Sequence, residues 1–265
     1  MLPIPCRSMR YTAGDEQALT AEQLRAVDRL AARDAVPMFL PALPFGFIVG
    51  VAMTQSAMPT WVAWLTSPLI FAGASQLGVI TLAGNATLWG VIVAGLVINL
   101  RHVMYAAALA PPMQRQPVWF RWFAPFLLID QVFALVTLRL TDSDTTRPVA
   151  ASPAALRRYY LVIGGFFYLS WLAVSTLGMV IGPVIPESWR LEFAIPVLFV
   201  GMVLVAVDKL PQAVAAGVGE AVGLATAGLQ DRLGILVGAA AGVAAGAAAE
   251  AAWGQRPIRR PAGGH

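Results

Sequence analysis

Long apolar stretches, separated by short polar segments, recur along most of the chain. Their approximate ranges are 35–54, 61–83, 87–110, 119–140, 160–183, 191–207, 212–229 and 233–253. A helix needs about 20 apolar residues to cross the roughly 30 Å of a bilayer's hydrocarbon core. The pattern therefore predicts an all-α fold, a polytopic transmembrane helical bundle of about 7–8 spans. Seven spans stay open because the last two stretches are short or weakly apolar.

The composition supports a membrane protein built as a single bundle. Hydrophobic residues make up 58% of the 265 residues, charged residues make up 12%, and the mean hydropathy is +0.70. Soluble domains are about 45–50% apolar and about 25% charged. We divide the chain into a cytosolic N-terminal tail at 1–33, a transmembrane domain at 34–254 and a basic C-terminal tail at 255–265.

The N-terminal tail is predicted to contain a short amphipathic helix rather than a signal peptide. Thr20 and Gln23 have the spacing of a capping box, which marks the start of a helix. Leu24, Val27 and Leu30 then fall on one helical face. The tail has mixed charges and lacks the apolar segment of a secretory signal. We expect this helix to lie against the membrane or against the bundle.

The positions of Lys and Arg predict the orientation of the bundle. Of the 18 Lys and Arg residues, 13 lie on one side in the eight-span arrangement, four lie on the other, and Arg101 lies inside a span. Positive side chains concentrate in the cytoplasmic loops of membrane proteins. We therefore expect both termini in the cytoplasm. The single cysteine, Cys6, permits no intramolecular disulfide.

Strongly polar side chains lie at the centres of three successive spans, where insertion into the bilayer is costly. They are Ser75 and Gln76 in the second span, Asn99, Arg101 and His102 in the third, and Asp130 in the fourth. We predict that Arg101 pairs with Asp130 and that His102, which can change charge near neutral pH, lies close by. The alternative is a buried ion pair that only orients two helices, beside a neutral packing histidine.

The segment FAGASQ at 71–76 is unusual inside an apolar span because four small residues precede an amide. Gly73 and its small neighbours can interrupt the helix and expose backbone amides and carbonyls, which membranes tolerate only beside protein or a water-filled cavity. Interrupted helices at the bilayer midplane hold carboxylate or ammonium groups in transporters. The prolines at 37, 41 and 44 predict a second interruption in the first span. A close helix crossing at 72–75 is the alternative explanation.

Glycines recur every four residues in the last two spans, at positions 219 and 223 and again at 234, 238, 242 and 246. Small residues at this spacing let helix backbones approach closely. The pattern therefore indicates tight packing, either inside the bundle or against a partner. Glu220 lies beside this glycine face, and we interpret it as part of the packing surface.

Five stretches resemble the AzlC family, the large subunit of branched-chain amino acid exporters. They are PALPFGFIVG at 41–50, FAGASQ at 71–76, NLRHVMY at 99–105, LIDQVFA at 128–134 and LEFAIPVLFVG at 191–201. Their order and spacing are similar to the family over roughly residues 35–250. The resemblance implies that 34–254 is an AzlC-like permease domain exporting leucine, isoleucine, valine and sometimes methionine or toxic analogues. It also implies a small AzlD-like membrane subunit as partner and energy from the proton motive force.

We therefore expect a secondary transporter and not an enzyme, with no cofactor, no metal and no nucleic acid. The chain contains no phosphate-binding glycine loop and no Cys/His metal spacing. A higher oligomer is compatible with the sequence. The candidate substrate-binding residues are Gly73, Ser75, Gln76, Asn99 and Arg101, and the candidate proton-coupling residues are His102 and Asp130.

Two other functions stay open at this point. One is a passive channel for small solutes. The other, more remote, is an intramembrane serine protease in which Ser75 and His102 form a nucleophile–base pair.

Overall fold

The computed structural model describes residues 19–84, 86–141, 149, 152–186, 207, 209–228 and 234–254. In this part of the chain the regular elements are helical, which confirms the predicted all-α class. The helices are α1 (Ala21–Phe39), α2 (Ala42–Thr54), α3 (Thr60–Leu69), α4 (Gly73–Leu82), α5 (Leu88–Met113), α6 (Val118–Phe123), α7 (Asp130–Thr141), α8 (Pro153–Ile181), α9 (Leu210–Ala225) and α10 (Gly234–Trp253). Short 3-10 helices occupy Ala124–Leu127 and Gly182–Val184. Except for residue 207, the predicted span at 191–207 lies outside the described residues.

Among the described residues, two helical segments are long and apolar enough to cross a membrane. They are α5 and Pro153–Val184, which combines α8 with the 3-10 helix after it. Helices α1 and α2 together make a third candidate, bent by 62°. The shorter apolar helices are α4, α9 and the segment Val237–Trp253 of α10. The total of seven to eight spans stays a prediction.

Three of the predicted spans are interrupted, and a proline lies at each interruption. The breaks fall between α1 and α2 after Pro37, between α3 and α4 after Pro68, and between α6 and α7 around Pro125. Proline has no backbone N–H and its ring clashes with the preceding turn, so it ends or bends a helix. The first two breaks confirm the predicted interruptions. The third break, around Pro125, is not among the predicted interruptions.

Helix α1 is longer than the predicted tail helix and crosses the predicted boundary at residue 33. Its start is the predicted capping box: the Thr20 amide donates to Gln23 Oε1 at 2.9 Å, and the Gln23 amide donates to Thr20 Oγ1 at 3.3 Å. One face of α1 is buried in the core of the bundle through Val27, Ala31, Ala35 and Phe39. The helix therefore packs against the bundle, which is one of the two expected placements.

Helix α8 is the centre of the packing, and α2 crosses it through glycines. A methyl group added at Gly178 would overlap the carbonyl oxygen of Phe47 and lie 2.9 Å from its carbonyl carbon. A methyl group at Gly50 would overlap the carbonyl oxygen of Ser175 and lie 2.7 Å from the amide nitrogen of Met179. The two backbones are therefore in direct contact, as small residues allow in membrane helices.

Helices α9 and α10 pack through the predicted glycine face. A methyl group at Gly238 would lie 2.6 Å from the carbonyl oxygen of Gly219, and one at Gly242 would lie 2.7 Å from that of Ala215. The close packing of these two helices confirms the glycine-spacing prediction. The Glu220 side chain is exposed on α9.

Candidate functional site

The centre of the candidate site is an ion pair between α5 and α7. Arg101 Nη1 lies 2.9 Å from Asp130 Oδ2, so the pair predicted from the sequence is present. Asp130 is the first residue of α7, where the helix dipole favours negative charge. The Arg101 and Asp130 side chains are 30% and 45% exposed. The pair is therefore only partly covered by the surrounding helices.

Tyr105 joins this pair from the next turn of α5. Its phenol is close enough to interact with the Asp130 carboxylate. Its ring stacks on Phe133 of α7, with centroids 4.3 Å apart and planes 14° apart, and it meets the His102 ring edge-on at 5.8 Å. Tyr105 is missing from the predicted site. The four-residue spacing from Arg101, which places two side chains on one helical face, is the signal that could have identified it.

Asn99 and Ser75 connect α5 to α4. Asn99 Nδ2 donates to Ser75 Oγ at 3.1 Å, and the Ser75 hydroxyl donates to the Gly95 carbonyl oxygen at 3.5 Å. His102 Nδ1 lies 3.1 Å from the Asn99 carbonyl oxygen. The predicted residues Ser75, Asn99 and His102 therefore form one hydrogen-bonded group with the backbone of α5. Ser75 is buried, at 1% exposure.

Gln76 belongs to a different polar network, which lies between α3, α4 and α8. Its Nε2 donates to Thr66 Oγ1 at 3.0 Å and to Ser67 Oγ at 2.8 Å, while its Oε1 accepts from Trp171 Nε1 at 2.9 Å. The Ser67 and Ser175 hydroxyl oxygens are 3.1 Å apart. The amide of Gln76 is completely buried and both its nitrogen protons and its oxygen are used within the protein. A contact with substrate would require this network to open.

Gly73 is the first residue of α4, directly after the break. A methyl group there would lie 2.7 Å from Phe45 Cε1 and 2.7 Å from Trp171 Cη2. The absence of a side chain thus lets the Phe45 and Trp171 rings pack over the start of α4, with their centroids 5.7 Å apart. The N-cap residue, Ala72, supplies no side-chain acceptor, so the first amides of α4 are not capped by a side chain.

Four buried side-chain polar atoms of the described residues lack hydrogen-bond partners, and two of them belong to the ion pair. In the part of the chain that the structure describes they are Asn99 Oδ1, Arg101 Nε, Asp130 Oδ1 and Thr137 Oγ1. Such atoms are normally bonded to protein or water, so each one needs an explanation. The first three are two acceptors and one donor.

Among the described residues, no group of three or more His, Cys, Asp or Glu side chains is placed to hold a metal ion.

The interrupted apolar helices and the ion pair between α5 and α7 define a helical membrane protein. The family model described as AzlC protein matches residues 37–185, and the chain therefore belongs to the AzlC family. A protein of Archaeoglobus fulgidus, described as an uncharacterized membrane protein, is 30% identical over 172 residues, covering 63% of this chain and 70% of that protein. Inner membrane protein YgaZ of Escherichia coli K12 is 25% identical over 185 residues, covering 67% and 72%. No solved structure matches the chain.

Proposed function

We propose that this protein is a secondary transporter that exports branched-chain amino acids, namely leucine, isoleucine and valine, with methionine and analogues as further candidates. The observation that carries the proposal is the Arg101–Asp130 ion pair, in which Arg101 Nε and Asp130 Oδ1 are buried without hydrogen-bond partners. An amino acid zwitterion would direct its ammonium group to Asp130 Oδ1 and its carboxylate to Arg101 Nε, while Asn99 would offer its Oδ1 from another face of α5. The uncapped amides at the start of α4, from Gly73, are a second proposed anchor for the carboxylate, which would reach them when the Phe45 and Trp171 rings move aside.

The surroundings of the ion pair also suit an apolar side chain. The stacked rings of Tyr105 and Phe133 lie directly beside Asp130 and present carbon surface next to the polar atoms. A pocket that combines a few polar anchors with aromatic walls is typical of small-molecule sites. In this proposal Ser75 acts by orienting Asn99, since the Asn99 amide donates to the Ser75 hydroxyl.

Proton coupling is assigned to His102 and Asp130. Asp130 can alternate between pairing with Arg101 and binding the ammonium group or a proton, and His102 can change charge near neutral pH. We expect Asp130→Asn and His102→Ala to abolish uphill export driven by a pH gradient while exchange of substrate across the membrane survives. Full pH-driven transport by both variants would remove the proton role from these residues.

A small AzlD-like membrane subunit is proposed as the partner, on the basis of membership in the AzlC family. Helix α5 offers large exposed apolar side chains, among them Trp89, Leu96 and Val103, that lipid or such a subunit would cover. We further propose that the protein lies in the inner membrane of a bacterium, as the name of its relative YgaZ suggests. The Lys and Arg bias supports a cytoplasmic position for both termini.

The test is transport of labelled leucine by the purified protein in liposomes under an imposed pH gradient, with and without the small subunit. Gradient-driven, saturable movement that requires the subunit is the expected result. Movement that neither saturates nor responds to the gradient would instead identify a passive channel. No movement of leucine, isoleucine, valine or methionine by a folded preparation would contradict the proposed substrate class.

The protease alternative receives no support from the site. The Ser75 hydroxyl is engaged by Asn99 and Gly95. Labelling of Ser75 by a fluorophosphonate would be needed to revive that function.

A further inference from the structure

A second charged group ties α1 to α7 and α8. Arg139, in the last turn of α7, forms a two-point ion pair with Asp34 of α1, in which Nε donates to Oδ2 at 2.8 Å. The Tyr159 hydroxyl of α8 donates to the same Asp34 oxygen at 2.7 Å. Arg158 of α8 forms another two-point pair with Asp28 of α1, with both bonds at 2.8 Å. We call these five residues the latch.

The Arg139–Asp34 pair of the latch is buried, and a buried ion pair is an energetically costly way to hold two helices together. The Arg139 and Asp34 side chains are only 9% and 11% exposed. Burying two charges costs much of what their attraction gains, and apolar side chains of similar volume are often as stabilising. Apolar side chains, however, resist separation in water, whereas two charged groups are solvated well when they come apart. A charged contact therefore suits a junction that has to open.

The latch is connected to the candidate site through a single helix. Asp130 begins α7 and Arg139 lies in its last turn, nine residues and about 13 Å further along the helix. On the other side of the latch, α1 continues into α2 through the 62° bend. Helix α1 is thus attached to the bundle by the bend at one end, by the ion pairs of Asp28 and Asp34, and by its buried apolar face, which includes Val27 and Ala31.

We propose that the latch is a gate: release of α1 from α7 and α8 opens a route between one side of the membrane and the Arg101–Asp130 site. This inference rests on the transport function proposed above. The competing explanation is a static brace that stays closed throughout the transport cycle.

The experiment measures how often α1 lifts from the bundle. Val27, next to Asp28 in α1, is completely buried on the face that packs against the bundle. Val27→Cys in a Cys6→Ser background therefore introduces one reporter thiol at this contact. The labelling rate with a charged, water-soluble methanethiosulfonate is recorded on the full-length protein in liposomes. Ala31→Cys, also at 0% exposure, is a second reporter in case the first variant does not fold.

A matched pair of variants then perturbs the latch. Arg158→Gln removes the outer ion pair to α1, whereas Arg157→Gln changes the neighbouring side chain, which instead donates to Gln116 Oε1 at 3.0 Å. Because both Arg158 and Asp28 are partly exposed, the pair is weak, and we expect Arg158→Gln to raise the labelling rate roughly twofold to fivefold. Arg157→Gln should leave the rate unchanged. Asp34→Asn, which leaves Arg139 buried without its carboxylate, should raise the rate at least tenfold.

Leucine supplies the second arm of the experiment. For a gate, leucine under a pH gradient changes the labelling rate of the reporter in the otherwise unaltered latch. A rate that is equal with and without leucine, while leucine transport proceeds, would identify a static brace and overturn the proposal. Equal rates in the Arg158→Gln and Arg157→Gln proteins would overturn it as well. The labelling rates of the latch variants are measured without leucine. They therefore test the latch even if the protein does not transport leucine.

Discussion

The crossing of α2 and α8 makes the sharpest stability prediction, because its glycines contact backbone atoms that cannot rotate away. In Gly178→Ala the new methyl group would overlap the Phe47 carbonyl oxygen and lie 3.1 Å from the Phe47 Cα. Ordinary contact begins at 3.4 Å, so α2 and α8 must move apart along the whole crossing. The side chains packed beside this crossing, including Trp171, would then lose close contacts.

The magnitude follows from two opposing effects. Overpacking a tight contact costs about 1–3 kcal/mol and occasionally more. Alanine gains up to about 1 kcal/mol over glycine in helix propensity. Because the methyl group overlaps backbone atoms, we take the overpacking cost at its upper value of about 3 kcal/mol. Subtracting the gain in helix propensity leaves a net loss in the free energy of unfolding of about 2 kcal/mol. For a chain of this size that corresponds to a fall in Tm of roughly 4–8 °C.

The assay is thermal unfolding of the purified protein in detergent, followed by the loss of the monodisperse peak in size-exclusion chromatography. The matched control is Gly165→Ala on the same helix, where a methyl group meets no atom within 4 Å. We expect Gly165→Ala to have an unchanged or slightly higher Tm. Equal Tm values for the two variants would show that α2 and α8 do not cross at Gly178 in the way described.

Two further outcomes follow from the polar network and the glycine face. Gln76→Leu leaves Thr66, Ser67 and Trp171 without their partner and should lower the free energy of unfolding by about 2–4 kcal/mol. The exposed control Gln114→Leu should change it by less than about 0.5 kcal/mol, and the same thermal assay measures both variants. Gly238→Ala should loosen the packing of α10 on α9 and increase protease cleavage between them, whereas Gly217→Ala, which has open space around it, should not; equal cleavage of the two variants would contradict the packing.

The ion pair of Arg101 and Asp130 shows where local reasoning succeeds. Both residues lie near the centres of apolar stretches. A charge at that depth needs a counter-charge at the same depth, so few pairs of residues meet this condition. The breaks after Pro37 and before Gly73 were accessible for a similar reason, since proline and glycine act on the backbone within one turn. The break at Pro125 depends on the same chemistry but is absent from the predicted interruptions.

Gln76 shows where local reasoning stops. From the sequence it belongs with Ser75, its neighbour, as a candidate substrate ligand. Adjacent residues on a helix point about 100° apart, so Ser75 turns to Asn99 on α5 while Gln76 turns to Trp171 on α8. Its role in substrate binding stays a prediction, but the network that holds it comes from residues that no spacing rule connects.

The sequence by itself determined the class of the protein, its helices and two of their breaks, because transfer of apolar surface and backbone hydrogen bonding depend on residues close together in the chain. The tertiary structure alone decided which polar groups meet. Asp34 and Arg139 are 105 positions apart and Asp28 and Arg158 are 130 apart. Their pairing depends on how whole helices pack, and that packing is set by backbone contact at Gly50 and Gly178, which only the folded chain brings together.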